Sequence, residues 1–314
     1  MQRNREVALT AWYPTRMKCL ELFAGIGGFA AAFPGIEIIQ AVDIDQVAAK
    51  TYSRNFSHPY KVAEITSLSE KWFDEQEADF WWMSPPCTPF SRRGNFTDLR
   101  DPRCQALRYL IDVVPEVRPK YVAIENVVGF ESSEAFDSLS HTWRSAGYQV
   151  HWVIACPSQM GLPNRRPRFF AIASFDFDVS LGSLKQLTSD QPLSRFIEHN
   201  RIPSKDLDVS EDLVQQYSRA IDIVDSDHPD ACTTCFTSAY GRSIVRSGSY
   251  LRWHGGYRRF SPREVARLLG FPEWFSFPED IPTKRLWHLL GNSLSIPCVQ
   301  SVFSDVLTRT TERR

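Results

Sequence analysis

No hydrophobic stretch in this 314-residue chain reaches membrane-spanning length, so no membrane partner is expected. Residues 1–17 hold Arg3, Arg5, Glu6, Trp12 and Arg16 and lack the apolar core of a secretion signal, so they read as an N-terminal extension. Net charge is nearly absent too, at −1, which removes any global pull toward nucleic acid and leaves only local basic clusters to meet a polyanion. Seven cysteines, an odd number, do not suggest a secreted disulfide framework; a reducing cytoplasm is the expected home. Cys232-Thr233-Thr234-Cys235 has no second pair beside it, and no metal is expected. There is no repeat, and the glycine-rich segment lacks the Lys-Ser/Thr of a phosphate-binding loop.

Short apolar runs are present at 18–23, 36–42, 79–83, 120–124, 148–155 and 168–173, with amphipathic stretches between several of them. That order predicts an α/β fold with a mostly parallel, doubly wound, Rossmann-like sheet. From about 175 to 255 the pattern becomes polar and turn-rich, which predicts a small separate lobe. Ser261-Pro262-Arg263-Glu264 then reads as a capping box with proline at the first helical position, starting a helix that stops at Gly270. A last helix is expected after Gly291-Asn292-Ser293, running to about Leu307. The domain reading is an extension over 1–17, a catalytic domain over 18–180, a lobe over 181–255 and a return to the catalytic domain over 256–314.

Three segments carry chemistry. Strand Cys19–Phe23 runs into Ala24-Gly25-Ile26-Gly27-Gly28, where missing side chains let a ligand approach the backbone. Asp43 ends the next strand, where an acid is suited to two ribose hydroxyls; with no basic phosphate partner at the loop, a nucleoside such as S-adenosylmethionine fits. Phe80-Trp81-Trp82-Met83 leads to Pro85-Pro86-Cys87, a rigid turn that presents a thiol, with Arg92, Arg93 and Arg166 available to lower its pKa. No histidine base is evident, so this thiolate suits addition to an electron-poor carbon. Tyr121–Ile124 ends at Glu125-Asn126, placing an acid at the same edge of the sheet.

Phe-Ala-Gly-Ile-Gly-Gly (23–28), Pro-Pro-Cys-Thr-Pro-Phe-Ser (85–91), Glu-Asn-Val (125–127), Asn-Arg-Arg-Pro-Arg (164–168), Arg-Arg-Phe-Ser-Pro-Arg-Glu (258–264) and Gly-Asn-Ser (291–293) stand in an order and spacing that resembles the cytosine-5 methyltransferase family. The resemblance covers nearly the whole chain from Lys18. It implies that Cys87 attacks carbon 6 of cytosine while Glu125 contacts ring nitrogen 3 and the exocyclic amine. Carbon 5 then takes a methyl group from S-adenosylmethionine, leaving S-adenosylhomocysteine, and proton loss from carbon 5 with departure of the thiolate completes turnover. Arg166 is implied to orient the base, Arg168 to support it, and Asn126 to fix the loop carrying Pro86. The same resemblance assigns Phe23, Ala24, Gly25, Ile26, Gly27, Gly28, Asp43, Ile44, Glu64, Ile65 and Pro85 to the cofactor pocket, with Asn292 and Ser293 at its methionine end. The target base must be extruded or already unstacked.

Cys235-Phe236-Thr237, followed by Ser238-Ala239-Tyr240-Gly241-Arg242, resembles the branch that methylates cytosine 38 in the anticodon loop of tRNA(Asp), and Asn164 suits that branch. Arg92, Arg93, Cys235, Phe236, Thr237, Tyr240 and Arg242 are accordingly expected to touch substrate. Thr88 and Glu64 depart from the family pattern, which has glutamine and aspartate there. The expectation is a monomeric enzyme whose partner is the tRNA anticodon stem-loop, with weaker contact to DNA. The alternatives are a DNA cytosine-5 methyltransferase and a nucleic-acid-binding module without catalysis.

Overall fold

The computed structural model describes residues 17–86, 101–175, 179, 181–182, 191–199 and 205–309. Cys87, Arg92 and Arg93 lie outside the described residues.

In chain order, β1 (Lys18–Leu22) turns into α1 (Gly28–Ala32), and β2 (Glu37–Asp43) into α2 (Gln46–Asn55). β3 (Tyr60–Val62), α3 (Glu70–Glu75), β4 (Phe80–Met83) and α4 (Gln105–Val117) follow. Next come β5 (Tyr121–Val127), α5 (Glu134–Ser145), β6 (Gln149–Ala155), the two-residue β7 (Asn164–Arg165) and β8 (Arg168–Ser174). A smaller unit holds β9 (Asp208–Val209), α6 (Glu211–Gln216), β10 (Asp222–Val224), β11 (Thr233–Thr234), β12 (Ser249–Trp253) and β13 (Gly256–Arg259). Helices α7 (Pro262–Leu268), α8 (Thr283–Gly291) and α9 (Ile296–Arg309) end the described chain.

Seven strands form one sheet in the order β3-β2-β1-β4-β5-β8-β6. All neighbours are parallel except those of β8, which runs against both β5 and β6. The sheet is covered on both faces, and strand alternation divides its side chains between two cores. Phe80, Trp82 and Ala123 enter one core with α1 and α9, while Trp81, Met83, Val122 and Ile124 enter the other with α4 and α5. This is the mostly parallel, Rossmann-like α/β architecture that the apolar runs predicted. Strand β3 was absent from that reading because only its Tyr60 and Val62 are apolar and the segment is largely exposed.

The return to the main body is physical as well as sequential. In α9, Gln300 Nε2 donates to the Ala32 carbonyl at 2.8 Å, and Phe303 meets Trp82 edge to face at 5.5 Å. The capping box at α7 forms as read: Ser261 Oγ accepts the Glu264 N–H at 3.1 Å and Glu264 accepts the Ser261 N–H at 2.8 Å. Gly270, at φ +84°, ends that segment.

The smaller sheet has the order β10-β12-β13-β9. Because β12 and β13 form one antiparallel hairpin, the expected lobe boundary at 255 falls inside its turn, and the sheet continues through Arg259. The composition change near 255 marks that turn, His254-Gly255, where both residues have positive φ.

Candidate active site

Strand β1 delivers the glycine loop to the carboxyl end of the sheet, where ligands of open α/β sheets bind. Phe23 and Gly25 adopt φ of +55° and +53°, and Gly27 adopts +88°. A Cβ on Gly27 would stand 2.4 Å from the Phe56 ring, whereas one on Gly25 would meet nothing within 4 Å. Gly27 is therefore glycine for packing and turn, and Gly25 faces open space. The loop is tied down from β2 and β3: Gly25 N–H donates to Asp43 Oδ2 at 2.9 Å, and Tyr60 Oη donates to the Gly25 carbonyl at 3.2 Å. Asp43 Oδ1 also accepts the Asp45 N–H at 2.9 Å. Each carboxylate oxygen keeps a further lone pair for a hydroxyl group. Burial, the main cause, lifts the Asp43 pKa, while the Asp45 and Gly25 N–H groups oppose it.

This loop lines one end of a cavity of about 520 Å³. Phe23, Ala24, Gly25, Ile26 and Gly28 form its floor, with Asp43, Ile44, Glu64 and Ile65 beside them. Ile44 is 65% exposed, an apolar side chain facing a cavity that a flat, apolar ring would cover. Asn292 and Ser293, after α8, close the far wall. The same cavity runs to the ends of β4 and β5, where Pro85, Pro86 and Glu125 line it together with Arg166 and Arg168. Asn126 points away from it and donates to the Pro85 carbonyl at 3.4 Å.

Glu125 is buried, which pushes its carboxyl above the ordinary range, with Arg168 and then Arg166 pulling it back. Arg168 Nε stands 3.3 Å from Glu125 Oε1. Arg166 is 2% exposed and spends its donors on three carbonyls in two segments: Phe236 at 2.8 Å, and Gly291 at 3.0 Å with Ser293. Its Nη1 also donates to Cys235 Sγ at 3.2 Å, and Arg168 Nη2 reaches the same sulfur at 3.5 Å. Burial opposes ionisation of Cys235, but Arg166 and Arg168 outweigh it and hold the thiol below its ordinary pKa.

Residues 17–308 match the C-5 cytosine-specific DNA methylases. The chain belongs to that family. It is 33% identical to the tRNA (cytosine(38)-C(5))-methyltransferase of Schizosaccharomyces pombe, across 93% of this chain and 97% of that protein. A DNA (cytosine-5)-methyltransferase of Dictyostelium discoideum is 27% identical across 95% of this chain and 96% of its own length. The crystal structure of S. pombe Dnmt2 methyltransferase superposes with a TM-score of 0.84 at 30% identity, covering 95% of this chain and all of that one.

Within this methylase, the residues expected to touch substrate separate. Phe236 and Tyr240 are 1% exposed; their rings pack at 5.0 Å, and Tyr240 Oη donates to the Ser249 carbonyl while accepting the Phe260 N–H. Burial runs against the expectation that Phe236 and Tyr240 touch substrate directly: both rings belong to the core. Thr237 binds the Ser247 carbonyl and is half-buried; Arg242 is exposed.

Two further residues, and the contact made by Asn164, escaped the sequence reading. His288 lines the cavity, donating from Nδ1 to the Ser238 carbonyl at 3.1 Å, with Arg242 donating to the same carbonyl at 2.9 Å. His288 also lies one helical turn before Asn292, and that spacing was the available signal. Arg285 of α8 pairs with Asp45, the N-cap of α2, across the cavity rim. Asn164, fully buried, donates to Thr233 Oγ1 at 2.9 Å and joins the main body to the lobe.

Proposed function

We propose that this methylase transfers a methyl group from S-adenosylmethionine to carbon 5 of cytosine 38 in the anticodon loop of tRNA(Asp). The observation that carries the reading is the single cavity joining the glycine loop and Asp43 to Glu125 and Arg168. Its open Gly25 cradle, exposed Ile44 and carboxylate acceptors fit a cationic nucleoside without phosphates. When bound there, the cofactor supplies an electrophilic methyl group.

The chain's own residues divide the remaining work. Cys87 adds to carbon 6, and Glu125, whose pKa burial raises, donates its proton to ring nitrogen 3 and accepts from the exocyclic amine, so that carbon 5 becomes nucleophilic and takes the methyl group; loss of the carbon 5 proton and departure of the thiolate then free Cys87. Arg168 orients the Glu125 carboxyl. Arg166 positions the site by joining the lobe to the cofactor wall. Asn126 holds the Pro85 carbonyl and with it the start of the turn that presents the thiol.

Similarity to a protein named for tRNA cytosine 38 over 93% of the chain favours RNA, and a splayed loop base spares a neutral protein the cost of opening a duplex. The family's description and the D. discoideum relative support DNA as the second reading. Transfer of labelled methyl groups to tRNA(Asp), to the same tRNA with cytosine 38 replaced, and to duplex DNA decides between them. Label on the intact tRNA alone, lost in Cys87→Ala, is the expected result; label on DNA alone overturns the substrate.

A further inference from the structure

The small sheet carries a feature that the cavity does not use. In the β12–β13 hairpin, Tyr250 stands opposite Arg259 and Arg252 opposite Tyr257. Residues directly opposite share a face, and side chains two apart on a strand do as well. Two arginines and two tyrosines therefore alternate on one face, with the Arg252 guanidinium 5.6 Å from the Tyr257 ring centre and that of Arg259 5.9 Å from the Tyr250 ring centre.

The same alternation removes negative charge from this face. Asp208 pairs with Arg258, and Asp222 with Ser249, so both acids belong to the opposite face. Asp222 is moreover engaged by Ser249 and Thr234. Arg258, also on the opposite face, is spent in a buried ion pair with Glu264 at 2.8 Å. Arg252, by contrast, is exposed, and among the described residues neither it nor Arg259 forms an ion pair. Arg259 donates from Nη1 to the Asp208 carbonyl at 3.1 Å, which fixes the guanidinium without neutralising it. A cation laid on an aromatic ring and left without a carboxylate keeps its fork of donors for another anion.

Tyr250 is itself buried, and hydrogen bonds tie it to the wall of the cavity. Tyr250 Oη donates to the Ser243 carbonyl at 3.2 Å. Ser243 follows Arg242, which binds the Ser238 carbonyl beside His288, and both Ser238 and His288 line the cavity.

We propose that Arg252 and Arg259, each backed by a tyrosine, form a phosphate track for the RNA strand that leads away from the target base. This rests on the tRNA reading. A strand entering the cavity at Arg242 would meet Arg259 and then Arg252, and a polyanion with regularly spaced charges is the ligand that such a row fits.

The test compares wild type, Arg252→Gln, Arg259→Gln, the charge-keeping Arg252→Lys and Arg259→Lys, and Lys120→Gln, which neutralises a cation at the opposite end of β5. Unmodified tRNA(Asp) transcript is the probe, and KM, kcat and affinity are measured across salt concentrations. Each glutamine variant is expected to raise KM several-fold, to leave kcat within about twofold, and to reduce the slope of log affinity against log salt by about 0.7–0.9, one phosphate contact. The lysine variants should keep most of the slope, and Lys120→Gln all of it. Wild-type slopes in both glutamine variants, or an equal loss in Lys120→Gln, overturn the track while leaving the tRNA reading intact. Methyl transfer by wild type to duplex DNA and none to tRNA overturns that reading, and the RNA track with it.

Discussion

Arg168 Nε lies 3.3 Å from Glu125 Oε1 at the carboxyl edge of the sheet, yet Glu125 stays above its ordinary pKa. Desolvation wins because Glu125 is 8% exposed, and losing water costs the charged form more than Arg168 and Arg166 return. A neutral acid can donate to a ring nitrogen, which a carboxylate cannot. Glu125→Gln keeps an N–H donor and a carbonyl acceptor but cannot move a proton. It should lower kcat about 100-fold or more, the scale of general acid catalysis, with KM for RNA changed only a few-fold. Single-turnover methyl transfer measures this, and an unchanged rate would show that Glu125 merely holds the base.

Glu21 gives a prediction about stability. It lies on β1 behind the glycine loop, 1% exposed; its Oε2 accepts from Tyr52 Oη at 2.8 Å, and Tyr52 Oη lies 3.1 Å from His58 Nδ1. Burial pushes its pKa up to about 8, against the Tyr52 hydrogen bond. The folded protein therefore keeps a proton that the unfolded chain releases near 4.5. Its contribution is fully present below 4.5 and is lost as pH rises toward about 8. Glu21→Gln, an uncharged mimic, should match wild type in Tm near pH 5 and exceed it at pH 8. Parallel Tm curves for the two proteins would refute the assignment.

Gly25 and the cofactor can be separated from folding. Alanine there meets no neighbour within 4 Å and costs only the left-handed backbone, roughly 1–2 kcal/mol. Its methyl group would stand in the cavity. Gly25→Ala should fold with a modest fall in Tm and bind S-adenosylhomocysteine at least tenfold more weakly by calorimetry. Retained affinity would move the cofactor away from this loop.

The apolar strands of the main sheet, the capping box, the last helix and the glycine loop that lines the cavity were legible because each has a local signal: an apolar run, a cap, or glycine where backbone must turn. Phe236 and Tyr240 were misread because aromatic side chains serve cores and stacking surfaces alike, and only tertiary burial separates the two. Arg285 gave no signal, and His288 only its spacing from Asn292, for the opposite reason. Each lies on a helix with no motif of its own and acquires meaning from a partner far away in sequence, Ser238 and Asp45 respectively. The Arg–Tyr face depends on strand register, which a five-residue run of mixed polarity does not disclose.

Gly291 is where the lobe and the cofactor wall touch most closely. A Cβ on it would stand 2.2 Å from the Thr237 carbonyl carbon and 2.3 Å from the Ser238 nitrogen. These are backbone atoms, so relief requires moving the whole 237–238 turn. The Gly291 carbonyl also accepts from Arg166, which holds the Phe236 carbonyl through its other nitrogen. Gly291→Ala should therefore destabilise by about 1–3 kcal/mol, the cost of overpacking, which is several degrees of Tm in a chain of this size. It should also cut kcat by more than the loss of folded protein explains, because displaced Arg166 no longer aligns the lobe with Asn292 and Ser293. Gly147→Ala is the control: Gly147 does not line the cavity, and its Cβ would come no nearer than 3.6 Å to the Phe175 ring, so the substitution costs the left-handed backbone at φ +97° without touching the site. Equal effects of the two substitutions on kcat would mean that the lobe is not held through this contact.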